Sequence, residues 1–362
     1  MQFIDLKTQY QRYKSDIDAR MKAVLDHGQF VMGPEIAELE SELARYVGVK
    51  HAITVASGTD SLEIALRALG IGPGHEVITV PFTWISSAEV IGLVGANPVF
   101  VDIEPNFYNL DVNKLEAAFT PRTKAVMPVS LFGQMPDYDR INAICAKHGI
   151  TVIEDAAQSF GATQQGRRSC GVTAISSTSF FPAKPLGCFG DGGALFTSDD
   201  SLADIMRAIR SHGGLKRHHH PLLGMNGRFD TLQAAVLLGK WPWFEDEVLA
   251  RRRIGARYTE SLRGCCGAPE VMDGNTHVYA QYTIRVHDRD ALGEKLKAQG
   301  IPTAVYYPKC LHEQPVFASC GYKRGDFPEA EKASREVISL PMHPFLTETD
   351  QEKVIQAVKT LN

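Results

Sequence analysis

Cysteine is sparse in this chain of 362 residues: there are seven, none in a CxxC pair, with Cys265 and Cys266 adjacent. An odd count at irregular spacing offers no disulfide framework, so reduced thiols in a cytoplasmic protein are expected. No apolar run reaches the roughly 20 residues of a membrane span. The opening Met1-Gln2-Phe3-Ile4-Asp5-Leu6-Lys7 lacks the charged-then-apolar layout of a signal peptide. A large excess of one charge is missing too. A net charge of -4 and a pI near 6.3 give no reason to expect nucleic acid or anionic membrane as partner. GxxxxGK and GxGxxG are both absent, which weakens nucleotide-hydrolase and dehydrogenase readings. Arg217-His218-His219-His220-Pro221 forms a basic loop, but adjacent side chains diverge and no Cys or Asp/Glu ligand pattern accompanies them. No metal is expected.

What is present is alternation. Ile36, Leu39, Leu43 and Val47 recur at helical spacing, which predicts a helix over 35–47. Strand patterns follow at 51–56, 76–80, 98–103, 125–131 and 150–154, with helical patterns between them near 58–69, 86–94, 111–119 and 137–148. This predicts an α/β fold: a mainly parallel sheet covered by helices on both faces. Short strand-like pieces occupy 168–197, around the Gly190-Asp191-Gly192-Gly193 turn. A long helical stretch over 229–262 then leads into a second αβ unit. The expected division is a large domain, 1–245, and a smaller C-terminal domain, 246–362. Ligands of such sheets sit beyond the carboxyl ends of the strands, where both the Ser57 turn and Asp155 fall.

Three motifs carry chemistry, each with a plainer reading. Ser57-Gly58-Thr59-Asp60 offers backbone N–H groups, hydroxyls and a helix N-terminus, which suit a phosphate. The same residues also read as an ordinary helix cap. Asp155 ends a β-branched strand and can either cap the next helix or hold the proton of a pyridinium ring. Gln158 lies one turn further on, and Trp84 can stack on a ring or join the core. Lys184 sits among Phe180, Phe181, Pro182 and Leu186, an apolar setting that would desolvate an amine and lower its pKa. Phosphate cradle, acid and amine, in that order along the chain, suit pyridoxal phosphate.

Gly58-Thr59-Asp60, Glu154-Asp155-Ala156-Ala157-Gln158, Ser179-Phe180-Phe181-Pro182-Ala183-Lys184 and Gly190-Asp191-Gly192-Gly193 together resemble the sugar aminotransferases of the DegT/DnrJ/EryC1/StrS group. Those are fold-type-I pyridoxal-phosphate enzymes acting on nucleotide-linked keto sugars. The resemblance runs from Phe3 to Pro344 and implies that Lys184 binds the cofactor covalently. It further implies that Asp155 pairs with the ring nitrogen, Gln158 with the ring hydroxyl, and that Trp84 stacks. Gly58, Thr59 and Ser179 would bind the phosphate. Asn226, in Gly224-Met225-Asn226-Gly227-Arg228-Phe229-Asp230, would reach the phosphate in a neighbouring subunit, so a homodimer with shared sites is implied. Arg228, Phe30, Tyr306 and Tyr307 are the candidates for substrate contact. Phe180 to Cys188 and Gln281-Tyr282-Thr283 resemble the UDP-2-acetamido-2-deoxy-3-keto-glucuronate aminotransferases of O-antigen pathways, with L-glutamate as donor. Tyr306 and Cys310 depart from the His and Pro of those relatives, which bears on the sugar rather than the chemistry. Alternatives are another UDP- or dTDP-keto sugar, a sugar dehydratase, or a non-catalytic regulator.

Overall fold

The structure is a computed structural model that describes residues 1–216 and 218–361. Arg217, in the basic loop, and Asn362 lie outside the described residues. Helix α1 (Leu6–His27) opens the chain, its first turn capped by Asp5, which accepts the Thr8 N–H at 2.9 Å. Helix α2 (Pro34–Val47) has proline in its first turn, where the missing N–H costs no helical bond. Then come β1 (His51–Val55), α3 (Gly58–Ala68), β2 (Glu76–Thr79), α4 (Ser86–Leu93), β3 (Asn97–Phe100), β4 (Thr123–Val126), α5 (Tyr138–Lys147) and β5 (Thr151–Asp155). They are followed by β6 (Ile175–Ser179), β7 (Gly193–Thr197), α6 (Asp200–Arg210), α7 (Thr231–Lys240) and α8 (Phe244–Ser261).

The seven strands form one sheet in the order β1-β7-β6-β5-β4-β2-β3. Strand β7 runs against its neighbours β1 and β6, and the remaining pairs are parallel. Consecutive strand residues enter opposite hydrophobic clusters. Ala52, Val126, Val152 and Phe196 pack with α2, whereas Ile53, Ala125, Ile153 and Leu195 pack with α3, α4 and α6. That alternation is the period-2 side-chain geometry of a sheet buried on both faces. The carboxyl ends of β1, β2, β5 and β6 share one edge, which brings Ser57, Trp84, Asp155 and Ser179 to the same side.

Beyond α8 lie β8 (Tyr282–Arg285), α9 (Arg289–Ala298), α10 (Pro328–Glu336), β9 (Val337–Leu340) and α11 (Glu348–Leu361). The β8–β9 pair is antiparallel. With α8, α9 and α11 it encloses a separate core of Tyr258, Leu262, Ile284, Leu296, Leu340 and Val358. Among the described residues, no helix is long and apolar enough to cross a membrane.

The structure departs from the sequence patterns in places. The helix expected over 111–119 is one α turn, Val112–Leu115, followed by a 3₁₀ turn. The stretch 229–262 is broken by a 3₁₀ turn at Trp241–Trp243, where Pro242 lacks an N–H to continue the helix. Helices α1 and α6 were not anticipated.

His277 is buried and stacked on Tyr279 at 4.0 Å between centroids, its Nδ1 accepting the Tyr279 N–H at 2.9 Å. Burial pushes its imidazole down to about 3. In the unfolded chain a histidine gains its proton near a pH of about 6.5. The stabilisation from keeping His277 neutral is therefore complete above that pH and is lost as the pH falls toward about 3. His277→Gln is expected to flatten unfolding free energy against pH by up to about 1.4 kcal/mol per pH unit between those limits. Urea melts at a series of pH values check this; parallel curves for the two proteins would count against it.

Candidate active site

A cavity of about 410 Å³ opens at the shared strand edge. Gly58, Thr59, Trp84, Asp155, Gln158, Ser179, Lys184, Tyr306 and Tyr307 all line it. Residues 126 positions apart, Gly58 to Lys184, thus meet because parallel strands deliver their carboxyl ends to one crevice. Phe30, Asn226 and Arg228 are not among its walls. Phe30 and Asn226 are exposed, and Arg228 is half-buried next to β1, paired with Val55.

Asp155 ends β5 and is buried, its Oδ2 accepting the Ser87 hydroxyl at 2.8 Å and its Oδ1 the Ala157 N–H at 3.1 Å. Burial pushes its carboxyl above the usual range, opposed by those two bonds and by the nearby Lys184 amine. Burial lowers the Lys184 amine, and the Asp155 carboxylate acts in the other direction. The preceding Glu154 points to the opposite face. There Ser169, Cys170 N–H and Ser130 donate to it at 2.7, 2.8 and 3.1 Å. Two adjacent carboxylates therefore serve different faces of the sheet.

Gln158 is held at both ends of its amide. Its Oε1 accepts the Phe132 N–H at 2.7 Å, and its Nε2 donates to the Tyr307 hydroxyl at 3.1 Å. The second Nε2 hydrogen is left to point elsewhere. Trp84 is 60% exposed and tilted against Tyr307 at 6.1 Å between centroids, an open ring face over the cavity. At the other end, Ser57 caps α3 by accepting the Asp60 N–H at 3.0 Å. The cap reading of this turn is thus correct and leaves the phosphate reading intact, because Gly58 and Thr59 still begin the helix at the cavity wall. Thr59 Oγ1 lies 2.9 Å from Ser86 Oγ. Among the described lining residues, Lys184 is the one lysine or arginine.

The model of the DegT/DnrJ/EryC1/StrS aminotransferase family matches residues 11–359. The chain belongs to this family. The UDP-2-acetamido-2-deoxy-3-oxo-D-glucuronate aminotransferase of Pseudomonas aeruginosa is 53% identical to it, over 99% of each chain. The crystal structure of a DegT/DnrJ/EryC1/StrS aminotransferase from Brucella abortus superposes with a TM-score of 0.97 at 45% identity, covering 99% of both chains. That of DesV from S. venezuelae gives 0.98 at 39% identity, covering 99% of this chain and 97% of the other. As a member of this family the protein is a pyridoxal-phosphate-dependent aminotransferase.

The residues present fit that cofactor. A Cβ on Gly58 would stand 2.8 Å from the Ser179 Cβ, so the helix start and the end of β6 close on each other without room for a side chain. Gly58→Ala is therefore expected to weaken cofactor binding by about 1–3 kcal/mol, roughly 5- to 150-fold in Kd, by displacing Ser179. Equilibrium dialysis of the apoprotein measures this, and an unaltered Kd would remove the cradle argument. Asp191 and Gln281, which the sequence offers only as motif residues, also line the cavity, as does Ser87, which the sequence does not mark. Ser87 stands three residues after Trp84, but nothing in the sequence pairs it with a carboxylate 68 positions later.

Proposed function

We propose that this aminotransferase moves an amino group from L-glutamate to a nucleotide-linked keto sugar. The most favoured acceptor is UDP-2-acetamido-2-deoxy-3-keto-glucuronate, giving the 3-amino sugar for lipopolysaccharide O-antigen biosynthesis. The observation that carries the chemistry is the desolvated Lys184 amine sharing one cavity with Asp155. The 53% identity to the Pseudomonas aeruginosa enzyme supports the sugar.

Pyridoxal phosphate supplies an electrophilic aldehyde and a ring that draws electrons from a neighbouring carbon. On our reading Lys184 would hold the cofactor through its amine and, when free, would move a proton at the donor's Cα. Burial lowers its pKa, which favours the neutral form a base requires. Asp155 would hold the proton on the ring nitrogen, and Ser87 and the Ala157 N–H fix which way that carboxylate faces. Gln158, braced by Tyr307, would offer its other N–H to the ring hydroxyl. Trp84 would cover one ring face, and Gly58, Thr59 and Ser179 would bind the phosphate.

A sugar nucleotide is strongly anionic, and among the described lining residues Lys184 is the one lysine or arginine. We therefore place Asn226 and Arg228 of a second copy at each site, in a homodimer. Exposed Phe30, Leu222 and Leu223 give the apolar surface such an interface needs. Sedimentation equilibrium tests this, with a monomer at micromolar concentration as the adverse result. Tyr306 and Tyr307 would face the sugar. The same reading keeps a large domain, 1–245, and a small one, 246–362, and a cytoplasmic location. The retained amine of Lys184 favours amino transfer over dehydration or a purely regulatory role.

A panel of UDP- and dTDP-linked keto sugars, each incubated with glutamate and the holoenzyme, tests the assignment by mass spectrometry. Amination of the 3-keto-glucuronate at least about tenfold above the others is expected, since one carboxylate recognised by a guanidinium is worth that much. Equal turnover of sugars lacking the carboxylate would reject the acceptor but not the aminotransferase.

A further inference from the structure

The main chain around Lys184 forms a closed loop. Phe180 donates its N–H to Gly192 O, Cys188 donates its own to Phe180 O, and Lys184 donates to Phe181 O, each at 2.8 Å. Gly187 lies so close to the Phe181 and Pro182 carbonyls that a Cβ would stand 2.8 and 2.4 Å from their oxygens. Phe180, Leu186 and Cys188 anchor the loop in the core beneath it, and its main chain must still hold one amine in a fixed place. Two side chains of α7 grip it from outside the cavity. Lys240 is 3% exposed, donates to Gly187 O at 2.6 Å and lies 4.4 Å over the Phe189 ring. Gln233 Oε1 accepts the Phe189 N–H at 2.8 Å. The helix behind them is fixed in turn, because Gly239 is pressed on α1, where a Cβ would stand 2.8 Å from the Ile17 Cα.

We propose that Lys240 and Gln233 are positioning residues, a two-point clamp by which α7 sets the reach of the Lys184 amine. A buried ammonium is costly to place and is spent here on one carbonyl, three residues after the reacting lysine. An apolar side chain of equal size would fill the space but leave Gly187 O unpaired. Neither residue is among the described walls of the cavity. The proposal rests on Lys184 as the reacting amine, while its first readout does not depend on chemistry.

The holoenzyme with Lys240→Met, which keeps the stem and removes the donor, is compared with wild type by amide hydrogen exchange. Exchange over 183–189 is expected to quicken about tenfold or more while amides of β5 stay unchanged. Turnover should fall about tenfold, with KM for glutamate and for the sugar nucleotide unaltered, and Lys240→Arg should recover most of it. Gln233→Leu should quicken exchange at 188–190 in the same way, and it decides the matter if Lys240→Met does not fold. Unchanged exchange over 183–190 overturns the clamp. So does faster exchange spread evenly over the sheet, since that marks general loosening. Loss of catalysis in Lys184→Ala together with unchanged exchange over 183–190 in Lys240→Met and Gln233→Leu would leave the functional reading standing and the clamp refuted.

Discussion

Replacing Lys184 by alanine should abolish transamination, lowering kcat on the order of 10⁴-fold, while the protein folds and still takes up pyridoxal phosphate. The amine is asked to do two things, to carry the cofactor and to move a proton at the donor carbon, and each contributes by itself about 10²-fold or more. Its setting explains why no neighbour can substitute: it is the one lysine or arginine among the described lining residues. The proposed phosphate cradle at Gly58 and Ser179 and the proposed ring partner Asp155 do not depend on it, so noncovalent binding should persist. Borohydride reduction followed by peptide mapping labels the Lys184 peptide in wild type and leaves it unlabelled in the variant. Residual turnover within about tenfold of wild type would sink the mechanism.

Asp155→Ala should cost the next largest amount. Removing one partner of a buried charged pair costs about 3–5 kcal/mol, equivalent to roughly 10²- to 10³·⁵-fold in kcat. In the apoprotein the same carboxylate is a liability, since burial pushes its pKa up and two hydrogen bonds offset this incompletely. The apo variant is therefore expected to melt no lower than apo wild type, while the holo variant loses most of its activity. A functional site that costs stability behaves in this way. Calorimetry of both apo forms, together with initial rates, reads the two effects separately. A large drop in the apo melting temperature with unchanged kcat would assign Asp155 to structure instead.

Much of this was legible in order along the chain. The β-branched run ending on Glu154-Asp155 is a strand with a carboxylate at its exit, and β5 is Thr151–Asp155. The small-residue turn at Ser57 is a strand-to-helix junction, and α3 begins at Gly58. Local pattern suffices for such features because strand alternation, helix periodicity and capping are set by neighbours within a few residues. Patterns weakened where apolar spacing was diluted. Helix α1 has Gln9, Tyr13, Ile17 and Val24 as its buried residues, two of them polar-tipped, and it gave no clean apolar stripe. The proline at 242 split a continuous hydrophobic periodicity that reads as one helix.

By itself the sequence determined the alternating αβ order and membership of a family with near full-length resemblance, and it singled out the turn, acid and amine that line one cavity. Tertiary structure alone decided which side chains brace those residues: Ser87 on Asp155, Tyr307 on Gln158, Lys240 and Gln233 on the Lys184 loop. These pairs are 44 to 149 positions apart. Hydrogen bonds across such separations are fixed by how strands and helices pack, and that packing energy is spread over the whole core rather than written beside either partner.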